Sequence, residues 1–171
     1  TKMSSSQKLF GPNFGFVKMT EKEAIKLANS AISAVNASIG TTDRLHGFMP
    51  ALAFKDEIGM NHVRLNRFYD GVPLFGEQAI AHFDDKGAVT GFTTNTIPAK
   101  LDLDTKPRIP AAKAEELVRA EVAKDGGPTD VSVSSRLVID HTDDGKYFLC
   151  HLVSVTDKDG NKANVFVDAK D

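Results

Sequence analysis

Asn61 to Asn95 reads NHVRLNRFYDGVPLFGEQAIAHFDDKGAVTGFTTN, and this stretch decides the fold. From His62 to Tyr69 it alternates, with Val63, Leu65 and Tyr69 on one face and His62, Arg64, Asn66 and Phe68 on the other. Glu77 to Phe83 repeats the period of two, and Ala88 to Thr94 is β-branched and aromatic enough for a third strand. The connections are equally specific. Asp70-Gly71 supplies residues that tolerate positive φ, Pro73 fixes its own φ, and Gly76 releases the chain into the next strand. Asp84-Asp85-Lys86-Gly87 is a short hairpin turn closed by glycine.

Working outward, Thr1–Lys18 is rich in Ser, Gly and Asn, with Leu9, Phe10, Phe14, Phe16 and Val17 scattered through it; a first strand or arm is expected. Thr20 to Ile39 is the clearest helix. Thr20 and Glu23 form a capping-box pair, Ile25, Ala28, Ile32, Val35 and Ile39 make one apolar stripe, and Gly40 stops the helix. Thr41 to Gly59 links helix to sheet and includes a short strand around Ala51–Phe54. After the central stretch, Pro98 and Pro107 mark Thr96 to Arg108 as a linker. Pro110 suits a first helical turn, and Ala114, Leu117, Val118 and Val122 form a second stripe. Three alternating segments follow, Val131–Asp140, Lys146–Thr156 and Ala163–Asp168, separated by acidic glycine turns. The pattern predicts an α+β fold of two tandem units, 1–97 and 98–171, each one helix packed on an antiparallel strand meander.

The central stretch carries a resemblance. His62-x-Arg64-x-x-Arg67-x-Tyr69-x-Gly71-Val72-Pro73-Leu74-x-Gly76 resembles the signature of the fungalysin/thermolysin pro-region, H-x-R-x-x-Q-x-Y-x-G-V-P-V-x-G. Two positions depart from it. Leu74 for valine is mild, whereas Arg67 puts a permanent charge where a neutral amide is usual. The second half is similar to a PepSY-type domain in Pro110–Ala114, Leu137–Asp140, Lys146–Cys150 and the closing Val165-Phe166-Val167-Asp168-Ala169. In secreted thermolysin-like precursors that domain follows the signature. The resemblance implies an N-terminal propeptide of a secreted thermolysin-like zinc metalloprotease. Such a propeptide acts as intramolecular chaperone and inhibitor, with the cognate catalytic domain as its partner and a secreted or periplasmic location. The alternative is a free-standing binding or inhibitor module of the same repeat. The family implies structural roles for His62, Arg64, Arg67, Tyr69, Gly71, Val72, Pro73, Gly76, Asp168 and Ala169, and no catalytic residue here. Zinc and calcium are expected only in the protease domain. The chain starts at Thr1 and stops near Asp171, so a removed upstream segment and a missing inhibitory connector are expected.

Composition narrows the field further. The chain has 171 residues, 41% hydrophobic and 26% charged, with a formal net charge of −2, which gives no reason to expect nucleic acid or an anionic membrane as partner. A monomer is expected. Cys150 is the only cysteine, so no internal disulfide exists; within an apolar strand it reads as a buried inert thiol, and redox compartment stays open. None of His46, His62, His82, His141 or His151 starts an H-E-x-x-H motif. His62 and His82 can meet across neighbouring strands, but no carboxylate or third histidine stands at matching period, so a metal site is not expected. Asp140-x-Thr142-x-Asp144-Gly145 imitates a calcium loop, but its twelfth position is His151 where a bidentate glutamate belongs. Arg64, flanked by Val63 and Leu65, is either solvated or paired with Glu77 or Asp70.

Overall fold

The computed structural model describes residues 2–39, 46–95 and 101–171. The helix stop at Gly40 and the front of the Thr96–Arg108 linker fall outside these. The chain divides into two compact units, Thr1–Ala99 and Lys100–Asp171.

The first unit runs α1 (Ser5–Phe10), β1 (Gly15–Val17), α2 (Glu21–Ile39), β2 (His46–Lys55), β3 (Asn61–Tyr69), β4 (Val72–Phe83) and β5 (Val89–Thr94). Its sheet order is β1-β2-β3-β4-β5; β1 runs parallel to β2 and all other neighbours are antiparallel. The expected meander is present, but the N-terminal arm is more structured than its composition foretold. Ser4 and Gln7 close a capping box on α1. The Ser6 N–H and hydroxyl both donate to Glu21 Oε1, at 2.8 and 2.7 Å, which ties α1 to the start of α2. Long-range side-chain contacts of that kind are invisible to local propensity.

α2 starts as the sequence says. The Thr20 N–H donates to Glu23 Oε2 at 2.8 Å, and the Glu23 N–H returns to Thr20 Oγ1 at 3.3 Å. Its buried face, however, is Ala24, Leu27, Ala28, Ala31 and Val35, with Ile25 and Ile32 only partly buried at the margin. The stripe is rotated by about one residue from the isoleucine-centred reading. The reason is steric: alanines let the helix backbone approach the sheet, and the larger β-branched side chains pack along the flanks. The opposing sheet face supplies the bulk through Phe48, Val63, Leu65 and Phe83.

The strand expected at Ala51–Phe54 is part of the ten-residue β2, joined to β3 by the turn Asp56-Glu57-Ile58-Gly59. That turn repeats at Asp84–Gly87 and Asp157–Gly160. In each, the aspartate Oδ1 accepts the N–H groups two and four residues on, at 2.8–3.0 Å. A glycine at φ +83° to +89° follows three residues after the aspartate. Thr142 and Gly145 build a related turn between β6 and β7, with the Lys146 N–H donating to Thr142 Oγ1. The carboxylates and hydroxyl at these tips hold backbone N–H groups, which is the turn chemistry anticipated for the acidic glycine turns.

The second unit comprises α3 (Ala111–Lys124), β6 (Val131–His141), β7 (Tyr147–Asp157) and β8 (Lys162–Asp168), with β7 central and both pairings antiparallel. Pro110 caps α3 from outside the helix with φ −71° and ψ 153°. Ala114 and Val118 pack on Val153 and Val155, whereas Leu117, expected in the same stripe, is exposed. Leu117 and Val118 point about 100° apart around the helix, so a stripe centred on Ala114 and Val118 turns Leu117 off the sheet. β7 is buried on both faces from Leu149 to Val153, and Val138, Cys150 and Leu152 gather on the face opposite α3 with Phe148.

Candidate functional site

The hairpin from Tyr69 to Glu77 holds most of the signature residues. Asp70 and Gly71 have φ +47° and +78°, and Tyr69 pairs with Val72, so this is a two-residue loop with both central residues at positive φ. Nothing lies within 4 Å of where a Gly71 Cβ would stand. Gly71→Val is therefore expected to cost roughly 1–3 kcal/mol through backbone strain alone. An unchanged melting temperature would contradict that.

Tyr69 is buried, its ring set edge-on to His46 with centroids 4.9 Å apart. Val72 and Leu74 are buried beside it, and Pro73 stands opposite Phe68, where a residue without an N–H is tolerated next to a bulge. The bulge follows at once. Asn66 pairs with Gln78 and Phe68 with Pro73, so Arg67 alone faces four residues of β4. Before it the even residues Val72 and Leu74 are buried; after it the odd residues Glu77, Ala79, Ala81 and Phe83 are. A slip of one residue would turn every following side chain outward, and Gly76, at φ +76°, absorbs it. Asn95 repairs the interrupted ladder: its Nδ2 donates to the Gly76 carbonyl at 2.7 Å, and its Oδ1 accepts from the Gln78 N–H at 2.8 Å.

The bulge brings Arg67 and Glu77 together. Arg67 Nη1 donates to Glu77 Oε2 at 2.6 Å, and the side chains are only 6% and 3% exposed. Arg67 shares the buried face of Val63, Leu65 and Tyr69, so the charge that departs from the usual glutamine meets a buried carboxylate. Of the alternatives open for Arg64, pairing with Glu77 is excluded, because Glu77 meets Arg67. Arg64 lies half-buried on the opposite face beside Val17, Leu52, Phe54 and Lys55. Among the described residues it forms no ion pair, and its Nε is buried without a hydrogen-bond partner.

His62 and His82 do meet. They pair directly across β3 and β4, Nδ1 to Nδ1 at 2.9 Å. His62 Nε2 lies 2.8 Å from Asp56 Oδ2, His82 Nε2 lies 2.8 Å from Thr93 Oγ1, and the Phe54 ring flanks His62 at 5.0 Å. Hydrogen bonds from His62 first, then from the Met60 N–H, hold the Asp56 carboxyl below its ordinary range. Sequence reasoning missed Asp56, Thr93 and Asn95. The spacing Asp56-x-x-Gly59, shared with Asp84-x-x-Gly87, was the available signal for the first; the other two depend on strand register.

Asp168 and Ala169 form a separate feature in the second unit. The buried Ala169 carbonyl accepts the N–H groups of Arg108 and Ile109 at 2.8 and 3.0 Å, and its own N–H donates to Leu149. Asp168 Oδ1 accepts from the Lys170 N–H at 2.7 Å, and Lys170 Nζ reaches Asp104 Oδ2 at 2.6 Å. His151, buried at the same junction, donates through Nε2 to the Ile109 carbonyl at 2.7 Å. The described part of the expected Thr96–Arg108 linker, residues 101–108, is thus fastened to the second unit. The Cys150 thiol is pushed up to about 12, by burial first and then by the charges of Asp140 and Asp168. A raised thiol stays protonated in the fold, so its stabilising contribution is complete below the unfolded value and declines as pH rises above it. The folded protein should show no thiolate absorbance and no reaction with a small disulfide reagent at pH 9, with both appearing on unfolding. Reaction of the folded chain at that pH would overturn the burial argument.

Residues 53–96 match the family model described as the Fungalysin/Thermolysin Propeptide Motif, so this segment, from inside β2 to just past β5, carries the propeptide motif. No curated protein matches the sequence. Among solved structures, the chain is similar to the Bacillus megaterium YpeB C-terminal domain, at 18% identity and a TM-score of 0.45. The match covers 92% of this chain and 64% of that one. Among the described residues no group of three or more His, Cys, Asp and Glu side chains could hold a metal ion, and no helix is long and apolar enough to cross a membrane.

Proposed function

We propose that this chain is the N-terminal pro-region of a secreted thermolysin-like metalloprotease, acting as intramolecular chaperone and inhibitor of the catalytic domain. The observation that carries the reading is the propeptide motif at residues 53–96, centred on the buried hairpin from Tyr69 to Glu77. The residues of that hairpin build structure: a turn, a bulge and a sealed ion pair. Binding native-like surface of a slow-folding partner stabilises the productive state over collapsed alternatives, and the free energy of that binding is what the partner gains. On this reading residues 1–97 form the motif-bearing unit and 98–171 a PepSY-like unit, and the partner is the catalytic domain rather than nucleic acid or a membrane. The chain itself works outside the cytoplasm as a monomer, and the protease's zinc and calcium stay with the catalytic domain.

The test is refolding in trans. A guanidinium-denatured thermolysin-type catalytic domain is diluted with an equimolar amount of this chain, and peptidase activity is read after the chain is removed by proteolysis. Recovery above that obtained with serum albumin is expected, as is inhibition of the native enzyme by intact chain. Failure with a panel of such domains would overturn the proposal. Arg64→Ala is the informative variant. With no ion pair to lose, it should cost under about 1 kcal/mol of stability yet weaken refolding if the outer sheet face contacts the partner. A variant as stable and as active in refolding as the parent would remove Arg64 from the site.

A further inference from the structure

The imidazoles of His62 and His82 point at one another through Nδ1, 2.9 Å apart, and each is oriented from behind by another side chain. Asp56 is fixed on both oxygens: Oδ1 accepts the Ile58 and Met60 N–H groups, and Oδ2 faces His62 Nε2. An ionised carboxylate only accepts, so the hydrogen of neutral His62 sits on Nε2 and Nδ1 presents a lone pair toward His82. A carboxylate behind the remote nitrogen of a histidine is the arrangement that orients metal-ligating imidazoles and raises their basicity. Thr93 Oγ1 can donate to His82 Nε2 or accept from it, so His82 can hold its hydrogen on either nitrogen.

We propose that His62 Nδ1 and His82 Nδ1 form a two-histidine site for a borderline transition-metal ion such as Zn²⁺, with Asp56 and Thr93 as the outer hydrogen-bonding partners. In the metal-free state the hydrogen between the rings belongs to His82. Metal entry moves it to His82 Nε2, where Thr93 Oγ1 accepts it, so both imidazoles remain neutral and no net proton is released. Two nitrogens at about 2.0–2.1 Å from a tetrahedral ion stand about 3.3 Å apart, so the strands need yield only about 0.4 Å beyond the present separation. His62 is 15% exposed, which leaves an approach from solvent, and water completes the coordination since no third protein ligand stands nearby among the described residues. Imidazole donors suit Zn²⁺, Ni²⁺ and Cu²⁺ and disfavour Mg²⁺ and Ca²⁺.

The full chain is titrated with ZnCl₂ and separately with CaCl₂ by calorimetry, in a non-coordinating buffer at pH 7.5. One saturable zinc site and no calcium site are expected. His82→Ala and His62→Ala should each abolish it, and Asp56→Asn should weaken it 10–100-fold while leaving both ligands in place. Long-range ¹H–¹⁵N spectra of the imidazoles in the unmutated chain guard against unfolded variants: zinc should shift Nδ1 of His62 and His82 and leave His46, His141 and His151 unmoved. The absence of saturable zinc binding, its persistence in the His62→Ala/His82→Ala double variant, or perturbation of the other histidines instead would each overturn the proposal.

Discussion

Glu77→Ala is expected to destabilise the first unit by about 3–5 kcal/mol, because it removes the carboxylate that meets the buried Arg67 guanidinium. The two side chains meet at 2.6 Å with almost no solvent exposure. Much of the loss is the cost of a buried charge that has lost its opposite charge rather than the worth of the pair, and that distinction can be measured. Arg67→Ala should cost a similar amount by removing the cation that meets the buried carboxylate. Arg67→Met combined with Glu77→Leu should restore much of it, since an apolar pair of similar volume avoids both desolvation penalties. Arg67→Gln restores the residue usual in the propeptide signature, yet it should still destabilise, because a neutral amide leaves Glu77 charged in the same place. Urea unfolding ranks the four variants on one free-energy scale. Single-variant costs under about 1 kcal/mol would show that the pair is hydrated in solution.

Phe83→Ala should cost about 3–5 kcal/mol by opening a cavity beneath α2. Phe83 is fully buried, and the helix face in the same cluster is lined by Ala24, Ala28 and Ala31, all fully buried. Short side chains on the helix cannot swing in to fill the space, so relaxation is limited and the cost stands at the high end of the range. Phe83→Leu should recover most of the stability by keeping apolar volume. If Phe83→Ala costs less than about 1.5 kcal/mol, the alanine-faced helix must be able to settle onto the sheet, contrary to the packing described.

How the chain punctuates itself was legible. Asp70-Gly71, Gly76, Asp84–Gly87 and Asp157–Gly160 are local devices: their φ values and Asx hydrogen bonds involve residues at most four apart. The capping box of α2 is equally local. The errors fall where a residue's environment comes from elsewhere in the chain. α1 depends on Glu21, fifteen residues from Ser6. The rotation of the α2 stripe depends on the sheet's choice of side-chain size. The described part of the Thr96–Arg108 stretch looks like a linker because its partners, Ala169 and Lys170, lie over sixty residues away.

The sequence by itself determined the strand order of the two meanders, the position of the hairpin and the motif it carries, because alternation and turn chemistry are properties of neighbouring residues. Only the tertiary structure decided which arginine meets Glu77, and that His62 and His82 are backed by Asp56 and Thr93. Both outcomes turn on register. The bulge at Gly76 shifts β4 against β3, and such a shift reverses which face each side chain occupies. Its size is fixed by packing across the sheet rather than by the residues adjacent in the chain.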